Sequence, residues 1–87
     1  MDGIDGWRKR IDEIDIELVN LLNERVMCAI EIGRIKQKKG IEIHNPEREQ
    51  DILRQICELN SGPLGNEALT GLFDRIIEEC RNVEENK

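Results

Sequence analysis

The sequence has no tyrosine, one tryptophan and one phenylalanine, so any core it builds has to be aliphatic. Proline is almost as scarce: Pro46 and Pro63 are the only two, and both read as punctuation between segments. No apolar run approaches the ~20 residues that cross a bilayer, so no membrane partner is expected. Met1-Asp2-Gly3-Ile4-Asp5 lacks the basic and apolar regions of a signal peptide. Cys28, Cys57 and Cys80 cannot all pair and have no metal-ligand spacing. They read as reduced, small core residues on apolar stripes, which points to a cytoplasmic protein without a metal. An excess of positive charge is missing too. The net charge is −6, which argues against nucleic acid as the main partner, because phosphate binding needs a basic face.

What the sequence does contain is helix-forming. Charged residues of both signs make up 37% of 87 residues and are interspersed with Ile, Leu and Val. This length suits one domain, residues 1–87, with no internal repeat. The apolar residues Ile4, Trp7, Ile11, Ile14, Leu18 and Leu21 keep a 3-4 spacing that resumes at Cys28, Ile32 and Ile35. One long helix is therefore predicted from about Asp5 to Lys39, with Gly40 as its stop and Lys36, Lys38 and Lys39 favourably placed near its negative end. Ile41-Glu42-Ile43-His44 is a connector, and its histidine, the only one in the chain, reads as an exposed loop residue. Asn45-Pro46 has the form of an N-cap followed by proline at the first helical position. A second helix should run from Pro46 to about Leu59, with Ile52, Leu53, Ile56 and Leu59 facing inward. Asn60-Ser61-Gly62-Pro63 breaks it, and a third helix is predicted from about Leu64 to Glu84. Glu85, Asn86 and Lys87 are expected to fray.

The fold class is thus all-α, with three helices per chain, one long and two shorter. At 1.5 Å per residue the first helix is roughly 50 Å long, against about 21 and 30 Å for the others. Two short helices cannot cover so long a stripe. A second copy of the long helix can, and an intertwined six-helix homodimer is the architecture this geometry favours.

Charges on the buried side carry the functional information. Arg25 falls where the apolar series calls for a hydrophobic residue. Beside that seam, Arg8 and Lys36 stand on a line of seven-residue spacing through Asp15, Leu22 and Ala29. Arg48 and Glu49 lie one turn before Ile52, and Glu84 continues the line Phe73, Ile77, Cys80. Any one of these could bury its stem and raise its charged head to water. Arg25 and Glu84 could also form a buried ion pair. Taken together, though, Arg8, Arg25, Lys36 and Arg48 arrive at inward positions of an acidic protein, which suggests a cavity for a small multivalent anion.

Four spaced motifs in order carry a family pattern: Arg8-Lys9-Arg10-Ile11-Asp12-Glu13-Ile14-Asp15, Leu18-Val19-Asn20-Leu21-Leu22-Asn23-Glu24-Arg25, Ile32-Gly33-Arg34-Ile35-Lys36 and Asn45-Pro46-Glu47-Arg48-Glu49. The chain resembles the all-helical chorismate mutases from Ile4 to Glu84. The resemblance implies a cofactor-free enzyme that rearranges chorismate to prephenate in phenylalanine and tyrosine biosynthesis. It implies a homodimer whose two sites each draw on both chains, with Arg8 reaching in from the partner. Arg25 and Arg48 would then bind substrate carboxylates, and Lys36 would contact a carboxylate and the ether oxygen. Glu49 would accept a hydrogen bond from the ring hydroxyl, while Asn45, Ile52 and Cys80 would complete the pocket. Glu84 stands where the family often has Gln as a donor to the ether oxygen. An ionised carboxylate cannot donate, so this role requires Glu84 to be protonated. Arg81 replaces a residue that is usually apolar, and could point outward, pair with Glu84 or add a contact.

Two other readings fit parts of the pattern. An isochorismate-pyruvate lyase on the same fold would use the same clamps. A non-catalytic helical dimerisation or regulatory module would explain the heptads but not four inward cations, which weaken a plain coiled coil.

Overall fold

The computed structural model describes residues 3–86. Met1 and Asp2, read above for a leader, and Lys87, expected to fray, lie outside them. Three helices follow in order: α1 (Gly3–Lys39), α2 (Pro46–Leu59) and α3 (Asn66–Glu85), and no strand occurs among the described residues.

Local chemistry explains the ends. Gly40 adopts φ 68°, a left-handed conformation that costs a residue without a Cβ little. Its N–H donates to Gln37 O at 3.3 Å and the Ile41 N–H to Lys36 O at 2.9 Å, the paired bonds that close a helix on a C-terminal glycine. Asn45 Oδ1 accepts from the Arg48 N–H at 3.1 Å and so caps α2, with Pro46 entering at the first position. Asn60 organises the next turn: its side-chain amide donates to Leu64 O at 2.8 Å and to Asn66 Oδ1 at 2.7 Å. That bond holds Leu64 outside the helix, so α3 begins two residues later than its sequence suggests. At the other end, Glu85 is helical rather than frayed, and the Asn86 N–H donates to Asn82 O.

Helix α3 packs against both α1 and α2, whereas α1 and α2 do not pack on each other. Few of the described residues are buried: Ala29 and Gly33 on α1, Ile77 and Cys80 on α3. A Cβ on Gly33 would lie 3.1 Å from Glu84 Cα, so the two helices approach as closely as glycine permits. Leu59, expected to face inward, is 83% exposed at the last position of α2, where the chain leaves the helix at Asn60. Cys28 is exposed and Cys57 half-buried, so of the three thiols only Cys80 is a true core residue.

The molecule measures 57 × 24 × 15 Å, because the N-terminal half of α1 projects beyond the other two helices. Along that arm Ile4, Trp7, Ile11, Ile14, Leu18 and Leu21 are exposed within the single chain.

Candidate active site

The gap between α1 and α2, floored by α3, is a cleft of ≈390 Å³. Every residue singled out in the sequence lines it except Arg8. Arg25 and Lys36 come from α1, three turns apart on one face; Arg48, Glu49 and Ile52 from α2; Cys80 and Glu84 from α3. Asn45 borders it from the connector. Arg8 is exposed on the projecting arm, about 25 Å from Arg25 along the helix axis, and within one chain does not join the others.

The cations are held without being neutralised. Arg25 Nη1 donates to Cys80 Sγ at 3.0 Å, and a thiol is a weak acceptor, so most of the guanidinium's donor capacity remains. Lys36 Nζ donates to the Ile43 carbonyl at 2.9 Å and lies 4.0 Å from Glu84 Oε1. The Arg48 guanidinium makes no hydrogen bond or ion pair with the described residues, while its backbone N–H engages Asn45 Oδ1. That capping bond fixes the Asn45 side chain and leaves its amide nitrogen free to donate toward the cleft. The Arg25–Glu84 pair that the sequence allowed does not form; Glu84 faces Lys36 instead.

Glu84 sits in unusual surroundings for a carboxylate. Burial is the main reason its carboxyl holds its proton above the ordinary range. Lys36 opposes this, and the negative charges of Glu85 and Glu49 add to it. Glu84 also occupies the last turn of α3, whose exposed carbonyls disfavour a negative charge.

Arg81 neither points outward nor pairs with Glu84. Its Nη1 lies 2.7 Å from Glu49 Oε2, joining α3 to α2 across the cleft floor. This contact raises the guanidinium's own proton affinity further. The imidazole of His44, exposed as expected, has Nε2 3.7 Å from the same carboxylate oxygen. No donor among the described residues engages Glu49 Oε1. The Arg81–Glu49 pair was missed because it links residues 32 positions apart. The available signal was a charge four residues after the buried Ile77.

A second, larger hollow at the end of α1 is bordered by Gln37, Ile41, Glu42 and Glu85. It contains no lysine or arginine and carries acidic residues, so it cannot attract an anion as the cleft can. No group of three or more His, Cys, Asp or Glu is placed to hold a metal among the described residues. No described helix is long and apolar enough to cross a membrane.

The model of a family described as chorismate mutase type II matches residues 7–85. A bifunctional chorismate mutase/prephenate dehydratase of Aquifex aeolicus is 42% identical over 88 residues, covering 97% of this chain. The chain spans only 24% of that relative's length. A chorismate mutase from Thermus thermophilus superposes with a TM-score of 0.96 at 31% identity, covering 99% of this chain and 98% of that one. A chorismate mutase from Helicobacter pylori, solved in complex with prephenate, gives 0.86 at 35% identity over 95% of this chain and 90% of that one.

Proposed function

This chain belongs to the chorismate mutase type II family, and from that premise we propose that it rearranges chorismate to prephenate in the cleft between α1 and α2. Chorismate is a compact dianion with an enolpyruvyl ether, and the reaction is an intramolecular pericyclic shift. Such a step needs no nucleophile. It needs a folded, chair-like conformer and stabilisation of the negative charge that grows on the ether oxygen.

Arg25 and Arg48, from two different helices, clamp the carboxylates and select that conformer. Lys36, oriented by the Ile43 carbonyl, and protonated Glu84 are the preorganised donors to the ether oxygen. Glu49 accepts from the ring hydroxyl through Oε1, and Ile52 and Cys80 wall the pocket. The observation that carries this reading is the convergence of Arg25, Lys36 and Arg48 on one cleft in a chain that matches the family.

The active form is a homodimer in which α1 of each chain crosses the other and delivers Arg8 to the partner's cleft. Support comes from the exposed apolar stripe on the arm and from the distance between Arg8 and the cleft of its own chain. A mixing experiment tests both halves of the proposal. The parent protein should convert chorismate to prephenate, and Arg8→Ala and Arg25→Ala should each be nearly inactive. Co-refolded in equal amounts they should recover up to about a quarter of parental activity, since half the dimers are mixed and each mixed dimer has one complete site. Recovery of nothing would place Arg8 and Arg25 in the same site's own chain. Pyruvate from isochorismate, with no prephenate from chorismate, would transfer the assignment to the lyase.

A further inference from the structure

The cleft contains a charge pair, Arg81–Glu49, of which the reaction as described uses only the carboxylate. Four cations, Arg25, Lys36, Arg48 and Arg81, line it together with two carboxyls, Glu49 and Glu84. Glu49 is the awkward member. As an ionised carboxylate beside a dianion it repels the ligand whose hydroxyl it is meant to accept, and its long side chain has rotamer freedom to leave the cleft. Arg81 meets both difficulties with one contact. Its Nη1 holds Glu49 Oε2 at 2.7 Å, the two side chains are only about a quarter exposed, and Oε1 is left unengaged.

We propose that Arg81 is a positioning residue for Glu49: it fixes the carboxylate with one oxygen directed to the substrate hydroxyl and cancels its charge so that the cleft keeps its attraction for a dianion. This inference rests on the reading of the cleft as the chorismate site. Arg81 acts from α3 on a group of α2, so it serves specificity for a hydroxylated ring without touching the reacting bond. Its neighbourhood also bears on Glu84, one turn later on the same helix. The charged groups acting on Glu84 are Lys36 from α1, Glu49 from α2 and Glu85 from α3 itself. Loss of the Arg81 charge leaves Glu49 uncompensated, and its freed negative charge strengthens the hold of Glu84 on its proton.

A double-mutant cycle on the full chain tests this, using Arg81→Met, Glu49→Gln and the pair, with helicity and oligomeric state checked for each. Arg81→Met should raise KM about tenfold, the worth of one charged hydrogen bond, while kcat changes less. Its alkaline limb of activity should move to higher pH, a readout that a merely structural role leaves in place. Arg81→Lys, which keeps the charge, should recover most of the KM. In the Glu49→Gln background the Arg81→Met substitution should have little further effect on KM. Equal losses in both backgrounds would mean that Arg81 binds substrate directly and would overturn the inference while leaving the mutase assignment intact. Absence of prephenate formation by the parent protein would overturn the site assignment and this inference with it.

Discussion

Glu84 is a carboxyl whose chemistry departs from its free state. Its half-buried carboxyl lies 4.0 Å from Lys36 Nζ at the negative end of α3, and it holds its proton above the ordinary carboxylate range. The consequence for stability has a definite sign. The folded state binds this proton more tightly than the unfolded chain, so the Glu84 contribution is complete at low pH and is lost as pH rises through the raised pKa. Activity should follow the same direction, because only the protonated acid donates to the ether oxygen, and a bound dianion strengthens the effect. Glu84→Gln should therefore flatten the alkaline decline of kcat, since an amide donates at any ordinary pH. A pH–rate profile of the Gln variant that keeps the parental decline would remove Glu84 from this role.

At the scale of the elements, the contact that sets the cleft is the close approach of α1 and α3 at Gly33. Replacing a glycine in mid-helix by alanine ordinarily stabilises by about 1 kcal/mol. Here the added methyl meets Glu84 Cα at 3.1 Å, Glu84 Cβ at 3.2 Å and Glu84 O at 3.3 Å, and backbone cannot move aside cheaply. Overpacking of this kind costs about 1–3 kcal/mol. Gly33→Ala should thus lower Tm despite its gain in helix propensity. It should lower kcat more than the fold suffers, because the methyl pushes Glu84 away from Lys36. Thermal melting and steady-state kinetics on the one variant check both; an unchanged kcat would show that the α1–α3 spacing does not govern the donor pair.

The single chain buries little and leaves a long apolar stripe uncovered. Only Ala29, Gly33, Ile77 and Cys80 are buried among the described residues, while Ile4, Trp7, Ile11, Ile14, Leu18 and Leu21 are exposed along a helix about 55 Å long. Burying each such side chain is worth about 1.5–3 kcal/mol, so a stripe of six is a strong driving force for pairing. Trp7 is the only tryptophan and 72% exposed in the isolated chain, which makes it a reporter of that pairing. Leu21→Glu places one charge per chain on the seam and should give a species of half the parental mass in sedimentation, with red-shifted Trp7 emission and no mutase activity. A variant that sediments like the parent would exclude this stripe as the dimer seam.

The three helices, and most of the residues that line the candidate cleft, were legible in the amino-acid order alone. The ends of α1 and α2 were legible because caps, glycine stops and dipole-matching charges act within a few residues. The candidate site was legible because charges at apolar positions of a 3.6-residue period betray an inward polar face. How those charges pair depends on the packing of the helices. Arg81 could have met Glu84 on its own helix but reaches Glu49 on α2, and Glu84 faces Lys36 rather than Arg25. The late start of α3 likewise depended on an Asn60 side chain that bridges the turn. Pairing of this sort depends on the offset between packed helices, set here by the close contact at Gly33. Periodicity within one helix shows which side faces inward, but carries no information about what will stand opposite.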